Sequence, residues 1–338
     1  MHFNIPVFIP HLGCPFQCIY CNQKYISGTI KAPDVDEVHA IIRQKLSTID
    51  SKNAKVEVAF FGGSFTCLSK SEQEKYLQAV QHYIHDKKVN GIRISTRPDY
   101  IDQHILDLLH HYHVSTIELG VQSMSDRILK NAGRGHTVED VIKASALIRK
   151  NGFKLGIQTM IGLPGEGKED TGYTASRVIA LQPDCVRIYP VLVLKDTELE
   201  RLFSAGKYET LPLQHAVERV AMVLRMYINH DINVIKVGLH PSEEFESGGK
   251  LVAGPFHPAF REMAMSCLWK NEFHDFFLQQ HITAKENKDI TITVPSFQYN
   301  YAIGYEAENK NHFKKYFNRV RFTRSDVLNR LEFHVDYH

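Results

Sequence analysis

Short apolar runs alternate with amphipathic helical runs through the first 240 residues, and this alternation restricts the fold more than any other feature. The apolar runs predict strands over residues 2–10, 54–63, 91–100, 115–123, 153–165, 185–194 and 232–240. The intervening spacing predicts helices over residues 33–49, 69–87, 101–112, 125–151, 168–181 and 212–230. Strands and helices in this order form parallel sheets with crossover helices. We therefore predict the α/β class, as a partial (β/α)6 TIM-like barrel.

The unusual loops of the sequence all follow predicted strands. They are a cysteine-rich segment after the first strand, then "FFGGSFT", "STRPDY", "ELGVQS" and "MIGLPG". In barrels of this kind the chemistry lies at the carboxyl ends of the strands. No G-x-G-x-x-G follows the first strand, so a dinucleotide site is not supported. The loops therefore predict one functional site at the mouth of the barrel.

The pattern changes after about residue 245. A glycine-rich stretch is followed by a helical run near 257, a predicted strand over 289–298, a predicted helix over 307–317 and two late strands. We predict two units: a partial barrel over residues 1–245, which carries the cysteine loop, and a small C-terminal α+β subdomain over residues 246–338.

Charge and composition narrow the classes of function. The 338 residues carry 40 basic and 38 acidic side chains, so no global basic field favours nucleic acid. The N-terminal "MHFNIPVFIP" lacks the features of a signal peptide, and no apolar run is long enough to span a bilayer. We expect a cytoplasmic protein without membrane contact. In that reducing compartment, clustered cysteines indicate metal binding or catalysis.

The stretch "HLGCPFQCIYCNQ" places Cys14, Cys18 and Cys21 at spacings of x3 and x2. Three such thiols can bind a metal centre, form a disulfide or pack as small apolar groups. Zinc needs four ligands, and His11 is a candidate for the fourth. A [4Fe–4S] cluster held by three thiolates would leave one iron open to a substrate.

Together these motifs resemble the radical S-adenosylmethionine (SAM) superfamily. C-x3-C-x2-C after a first strand, with Tyr20 before the last cysteine, is the pattern of that superfamily. "STRPDYI", "IELGVQS" and "VRIYPVLVLKDTEL" are most similar to elongator protein 3, whereas "GIQTMIGLPG" is similar both to it and to the oxygen-independent coproporphyrinogen oxidases. The resemblance covers residues 3 to about 240. It implies an elongator protein 3-like radical SAM barrel, without the acetyltransferase domain of that family.

The resemblance also implies an activity. Cys14, Cys18 and Cys21 are expected to hold a [4Fe–4S] cluster that cleaves SAM reductively and yields a 5′-deoxyadenosyl radical. The expected partners are SAM, an electron donor of the flavodoxin or ferredoxin type and an RNA substrate, namely a tRNA base. One alternative is oxidation of a small metabolite, although position 23 is Gln23 where coproporphyrinogen oxidases carry a further cysteine. The other alternative is a non-catalytic iron–sulfur protein.

The resemblance assigns further residues to SAM. Gly62 and Gly63 lack Cβ and let the backbone approach the methionine amino group, with a hydroxyl from Ser64. Glu118 is either a SAM ligand or the buried partner of an arginine. The remaining candidates for SAM contact are Tyr20, Gln122, Ser123, Arg134, Gln158, and the loop formed by Gly162, Leu163, Pro164 and Gly165.

The catalytic candidates are Glu118 and Arg97. Arg97 can bind a carboxylate or phosphate in bidentate fashion, or it can form a structural pair with Asp99. Tyr189 and Lys195 flank the end of the sixth strand and are candidates for the substrate face. Cys67, Cys185 and Cys267 are interpreted as packed thiols. The tail interleaves aromatic residues with a basic group that either contacts RNA or forms a solvated helix face: Lys310, Lys314, Lys315, Arg319, Arg321 and Arg324.

Overall fold

Seven parallel strands form the main sheet of the computed structural model, which describes residues 2–10, 14, 16–22, 31–49, 54–239, 249–280 and 288–338. The strands are β1 (His2–Ile9), β2 (Lys55–Gly62), β3 (Gly91–Thr96), β4 (Val114–Gln122), β5 (Lys154–Ile161), β6 (Cys185–Pro190) and β8 (Asn233–Val237). Their order in the sheet is β1-β2-β3-β4-β5-β6-β8, with every neighbouring pair parallel. The predicted partial α/β barrel is confirmed.

Helices connect the strands, and most of them cover the outer face of this sheet. They are α1 (Val35–Leu46), α2 (Lys70–His85), α3 (Gln103–His111), α4 (Asp126–Asn131), α5 (Val138–Lys150), α6 (Lys168–Ala180), α7 (Glu198–Ser204) and α8 (Leu213–Ile228). The predicted capping box of Ser69 and Glu72 is present at the start of α2. Strands such as β4 are buried at almost every position, which is typical of parallel strands whose two faces are both covered.

Two predicted elements differ in the structure. The helical region predicted over 125–151 is two helices, α4 and α5, because Gly133 and Gly135 adopt φ angles of 64° and 76° that end the first helix. The strand predicted over 185–194 is also divided. After β6, a short β7 (Val193–Leu194) pairs antiparallel with β9 (Leu251–Ala253), which the sequence did not predict.

The C-terminal part has its own aromatic core. The strands β10 (Asp289–Pro295), β11 (Arg319–Ser325) and β12 (His334–Tyr337) form a second sheet, accompanied by α10 (Tyr299–Ile303) and α11 (Glu308–Phe313). Helix α9 (Phe260–Gln279) joins the two units, because Leu268 packs in the barrel core and Trp269 packs in the C-terminal core. The predicted boundary at 245 falls in residues 240–248, outside the described residues. In the described parts of the chain no helix is long and apolar enough to cross a membrane.

Candidate active site

A cavity of about 490 Å³ lies at the carboxyl ends of the main strands. Its volume is in the range of small-molecule and cofactor sites. Many residues predicted from separate loops share its wall: Cys14, Cys18, Tyr20, Cys21, Gly62, Gly63, Ser64, Arg97, Gln122, Arg134, Gln158 and Tyr189. The fold therefore brings the cysteine segment and the strand-end loops together at one place.

The cysteine segment is held from two sides. The Ile19 amide donates to the carbonyl of Ala132 at 3.2 Å, and the Leu199 amide donates to the carbonyl of Ile19 at 2.8 Å. Gly135 lies against the ring of Phe16, where a Cβ atom would be only 2.9 Å from three ring carbons. The loop between α4 and α5 and the start of α7 thus position Cys18 and its neighbours.

The Arg134 side chain connects this segment to the sheet. Nη1 donates to the Cys18 sulfur at 3.1 Å, and Nη2 donates to the Gly120 carbonyl at 2.5 Å. Arg134 is buried, so its positive charge lies beside a thiol in a region of low dielectric. Such a charge stabilises a thiolate, which is the form that binds iron.

The three thiols fit a cluster. Cys18 is buried, Cys14 and Cys21 are half-buried, and all three lie on the cavity wall. Within the described ranges, no three His, Cys, Asp or Glu side chains converge as ligands of one metal ion. The thiolates of a cubane cluster bind different irons, so they need not converge on one point. His11, the candidate fourth ligand of zinc, lies outside the described residues.

The glycine loop after β2 has a local structural reason. Gly62 has a φ of 108°, and a Cβ atom there would lie 2.8 Å from the carbonyl oxygen of Ile9. The Gly63 amide donates to the same oxygen at 2.7 Å. The glycines were predicted to let the backbone approach a ligand closely. In the structure they also let it approach the end of β1 closely. The Ser64 hydroxyl accepts a hydrogen bond from the Arg97 amide at 2.9 Å.

Arg97 forms the structural pair that was one of its two predicted roles. Its guanidinium donates to both carboxylate oxygens of Asp99 at 2.9 and 2.8 Å, and to the Arg134 carbonyl at 2.6 Å. It also lies 4.9 Å from the centre of the Phe16 ring. Arg97 therefore supports the wall of the cavity next to the cysteine segment.

Glu118 takes the second role predicted for it, as a buried partner of arginine. Its carboxylate accepts hydrogen bonds from Arg93 at 2.7 Å, from Arg187 at 2.6 and 3.0 Å and from Gln158 at 2.9 Å. Burial alone would raise the pKa of Glu118, but the charges and hydrogen bonds of Arg187 and Arg93 lower it. Glu118 is not among the residues that line the cavity, and both of its carboxylate oxygens are bound by these partners.

The loop after β5 does not reach this cavity wall. The Gly162 amide donates to Glu166, its carbonyl accepts from the Tyr208 hydroxyl at 2.8 Å, and Leu211 packs against it. The Pro164 carbonyl accepts from Asn131 at 3.2 Å. The polar groups of Gly162 and Pro164 are thus used within the protein. Their predicted contact with SAM has no support from this geometry.

Some of the remaining candidates line the cavity, and others are bound within the protein. Gln122 lies at a β-bulge with a φ of 67° and lines the cavity, and its buried Oε1 has no hydrogen-bond partner in the described structure. Ser123 instead pairs with Thr174. Tyr189 lines the cavity, whereas Lys195 is tied to Lys250 through its backbone amide.

Sequence reasoning missed the charged interior of the barrel. Arg187 and Lys236 line the cavity, and Glu57 and Arg93 lie beneath it. The alternation of "CVRIYP" places Arg187 and Tyr189 on one face, and this pattern was available in the sequence. The sequence does not show that Lys236 faces the cavity, because the side to which its side chain points depends on how β8 pairs with β6.

Cys67 is a thiol of a different kind. It lies outside the cysteine segment, in the short helical turn Phe65–Cys67, and burial raises its pKa to about 11. A thiol with that pKa stays protonated near neutral pH when no metal binds it. This finding fits the interpretation of Cys67 as a packed thiol.

The family models agree with this geometry. The model described as the radical SAM superfamily matches residues 8–178, which is half of the chain, and a radical SAM C-terminal domain model matches residues 183–270. The chain is 34% identical over 225 residues to an uncharacterised protein of Methanocaldococcus jannaschii, a match that covers 62% of this chain and 67% of that protein.

Two further comparisons are to a relative named for tRNA and to a solved structure. A tRNA uridine(34) acetyltransferase of Methanocaldococcus infernus is 28% identical over 198 residues, covering 53% of this chain and 37% of the relative. The structure of an N-terminally deleted elongator protein 3 from the same organism superposes with a TM-score of 0.63 at 20% identity, covering 90% of this chain and 68% of the other. That likeness shows a shared fold.

The chain belongs to the radical SAM superfamily. It is an enzyme of that class, and its cofactors are a [4Fe–4S] cluster and SAM. The match spans little more than a third of the tRNA uridine(34) acetyltransferase, so the activity of that whole protein does not transfer directly.

Proposed function

We propose that this enzyme uses the radical chemistry of SAM to modify a base of RNA, most specifically of tRNA. The observation that carries the proposal is the sequence similarity between the barrel and a tRNA uridine(34) acetyltransferase, which extends over 198 residues. The alternatives, oxidation of a small metabolite and a non-catalytic iron–sulfur protein, are outcomes of the test below.

We assign the cluster to Cys14, Cys18 and Cys21, because these thiols share the cavity wall. When bound there, the cluster and SAM would supply 5′-deoxyadenosyl radical chemistry for removing a hydrogen atom from the substrate. The residues of the chain bind these groups and orient them. Arg134 directs a positive charge at Cys18, and the Gly62–Ser64 loop, which is fixed to the end of β1, lies beside Cys14.

SAM contact is assigned to polar groups that reach the cavity. Gln122 offers a buried amide oxygen without a partner in the described structure, and the Ser64 hydroxyl and the Tyr20 ring line the same wall. Gln158 already donates to Ser95 and Glu118, which leaves its amide oxygen for a ligand. Glu118 itself acts indirectly, by orienting Gln158 and Arg187.

The C-terminal unit, residues 246–338, is our candidate for RNA contact. Lys314, Lys315, Arg319 and Arg321 are exposed there, and Arg324 stacks 4.4 Å above the ring of Tyr299. Cations beside aromatic rings bind phosphates and unstacked bases.

The enzyme also needs an electron, for which we propose a flavodoxin or ferredoxin type of donor. We further propose a cytoplasmic setting. All six cysteines lie in the described part of the chain, and each is a thiol rather than half of a disulfide. Thiols of this kind persist in a reducing compartment.

The test is anaerobic reconstitution with iron and sulfide, followed by dithionite and SAM, with chromatographic detection of 5′-deoxyadenosine. The reaction is run without RNA, with bulk tRNA and with a DNA oligonucleotide of matched charge. We expect tRNA alone to increase 5′-deoxyadenosine formation and to yield a new nucleoside by mass spectrometry. SAM cleavage that tRNA leaves unchanged would direct the search to small metabolites, and cluster binding without SAM cleavage would contradict catalysis.

A further inference from the structure

Lys236 faces the cavity because of a β-bulge. Val186 on β6 pairs with Val234 on β8, but the next residue, Arg187, pairs with Lys236, so Ile235 is skipped. Without that extra residue Lys236 would face the covering helices, since a one-residue shift moves every side chain to the opposite face. Bulges redirect side chains in this manner beside functional sites. The result is a lysine on the wall of the cavity.

Three arginines of the barrel interior are paired with carboxylates. Arg93 lies between Glu57 and Glu118, at 2.9 and 2.7 Å, and Arg187 pairs with Glu118 at 2.6 Å. Two carboxylates therefore balance two guanidiniums. Above them, Arg97 is paired with Asp99 at 2.8 Å.

Arg134 instead faces the Cys18 sulfur, and Lys236 has neither kind of partner in the described structure. Across the ranges that the structure describes, no carboxylate forms an ion pair with it, and Glu262 attracts it only from a greater distance. Burial and the charges of Arg187 and Arg261 lower its pKa. Lys236 and the neighbouring Arg187 therefore make this part of the cavity wall positive, which favours the binding of an anion.

The surrounding wall provides further donors. Asn4 lines the cavity from β1, the other edge strand of the sheet, and its buried Oδ1 has no hydrogen-bond partner in the described structure. The oxygen and nitrogen of such an amide exchange places by rotation, so Asn4 can present a donor to a ligand elsewhere in the same cavity. The Arg187 guanidinium, held by Glu118, adds a fixed positive charge next to Lys236.

We propose that Lys236, with Arg187, binds the carboxylate or phosphate group of a small-molecule second substrate in the part of the cavity formed by β6 and β8. The inference rests on the proposed function, because it supplies that enzyme with a second reactant beside SAM. A small molecule can bring its anionic group directly to Lys236 on the cavity wall, whereas an RNA phosphate would have to follow the reacting base into the cavity.

The experiment measures anion binding directly. Malonate, acetate and inorganic phosphate are each titrated into the reconstituted, SAM-loaded holoenzyme by calorimetry in a low-anion buffer. The wild type is compared with Lys236→Gln, with Lys236→Arg, and with Lys154→Gln as a control at an exposed lysine of the barrel. We expect one site per chain for a carboxylate or for phosphate, weakened at least about tenfold in Lys236→Gln, as for one lost charge-assisted hydrogen bond.

Lys236→Arg should keep the affinity within about threefold, and Lys154→Gln should bind as the wild type does. SAM affinity should be equal in all four proteins. The inference is overturned if none of the three anions binds the wild type, or if Lys236→Gln binds them equally well. It is also overturned if Lys236→Gln weakens SAM or tRNA binding instead, which would assign the lysine to one of those ligands.

The two proposals can fail separately. If SAM is cleaved but tRNA has no effect, the RNA substrate is wrong, while the difference in anion binding between wild type and Lys236→Gln still stands. If tRNA increases SAM cleavage and Lys236→Gln binds the three anions normally, the proposed function stands and the anion site falls.

Discussion

Nη1 of Arg134 lies 3.1 Å from the sulfur of Cys18, and the same guanidinium is anchored to the end of β4 through the Gly120 carbonyl. The contact joins the loop after α4 to one of the three thiols assigned to the cluster. Hydrogen bonds to cluster sulfurs and nearby positive charges both favour the reduced, more negative state of an iron–sulfur cluster. Arg134 is therefore placed to tune the reduction on which SAM cleavage depends.

Arg134→Met removes this charge and its hydrogen bonds while it keeps a similar side-chain length. We expect a cluster that still assembles but has a more negative midpoint potential, with SAM cleavage by dithionite slowed about tenfold, the effect typical of lost outer-shell partners. Redox titration followed by electron paramagnetic resonance measures the potential.

The matched control is Arg127→Met, on the neighbouring helix α4, whose guanidinium is exposed and pairs with Asp170. It should leave the potential unchanged. A potential in Arg134→Met equal to that of the wild type would show that the arginine has a structural role only.

The ligand assignment predicts a sharp division among the cysteines. Alanine at Cys14, Cys18 or Cys21 should abolish the cluster absorbance and the bound iron after anaerobic reconstitution, because each removes one of three thiolates. Alanine at Cys67 or Cys185 should leave both intact. Cys67 is the stringent control, because its thiol lies near Cys14 and the charge of Cys14 affects the pKa of Cys67. Normal absorbance in Cys18→Ala would refute the assignment.

Much of this fold follows from local patterns. The alternation of apolar and helical runs predicted all seven strands of the main sheet, and strand ends predicted where the cysteines, Gly62, Arg97 and Gln122 meet. Burial on both faces produces continuous apolar runs, which are visible without any tertiary information. Topology then places the carboxyl ends of parallel strands at one mouth.

The rest depended on pairing that no local pattern encodes. The partners of Glu118 come from β3, β5 and β6, so its ion pairs required the sheet order. Lys236 required a bulge between β6 and β8, because its sequence parity predicts the opposite face. Gly162 looked like a ligand loop, yet the structure uses it to hold Glu166 and Tyr208.

Glu118→Gln tests whether that carboxylate serves the fold or the cofactor. The substitution removes the carboxylate that pairs with Arg187 and leaves Arg93 with Glu57 as its remaining charged partner. Breaking a buried ion pair from one side costs about 3 kcal/mol or more. We expect the free energy of unfolding in urea to fall by that amount, while SAM affinity of the folded protein changes less than about threefold. Glu139→Gln, at an exposed position of α5, should affect neither. Unchanged stability with lost SAM binding would restore the role of a SAM ligand.

Glu57 predicts how stability responds to acid. Burial alone would raise its pKa, but the hydrogen bond from Ser115 and the charge of Arg93 lower it to about 2. Because the folded pKa is below the unfolded value of about 4.5, the carboxylate stabilises the fold above that value, and the stabilisation is lost as pH falls towards 2. When the pH falls from about 5 to about 3.5, protonation linked to Glu57 should lower the free energy of unfolding of the wild type by about 1 kcal/mol.

Glu57→Gln should lose about that much less over the same interval, because glutamine does not titrate. Its stability at neutral pH should be lower than that of the wild type, since Arg93 then keeps only Glu118 as a charged partner. Urea unfolding of the full chain at a series of pH values measures both effects, with the exposed Glu169→Gln as the control that keeps the acid dependence of the wild type. Parallel acid profiles for Glu57→Gln and wild type would mean that Glu57 keeps an ordinary pKa, and that the buried network beneath the cavity is weaker than its distances of 2.9 and 2.7 Å indicate.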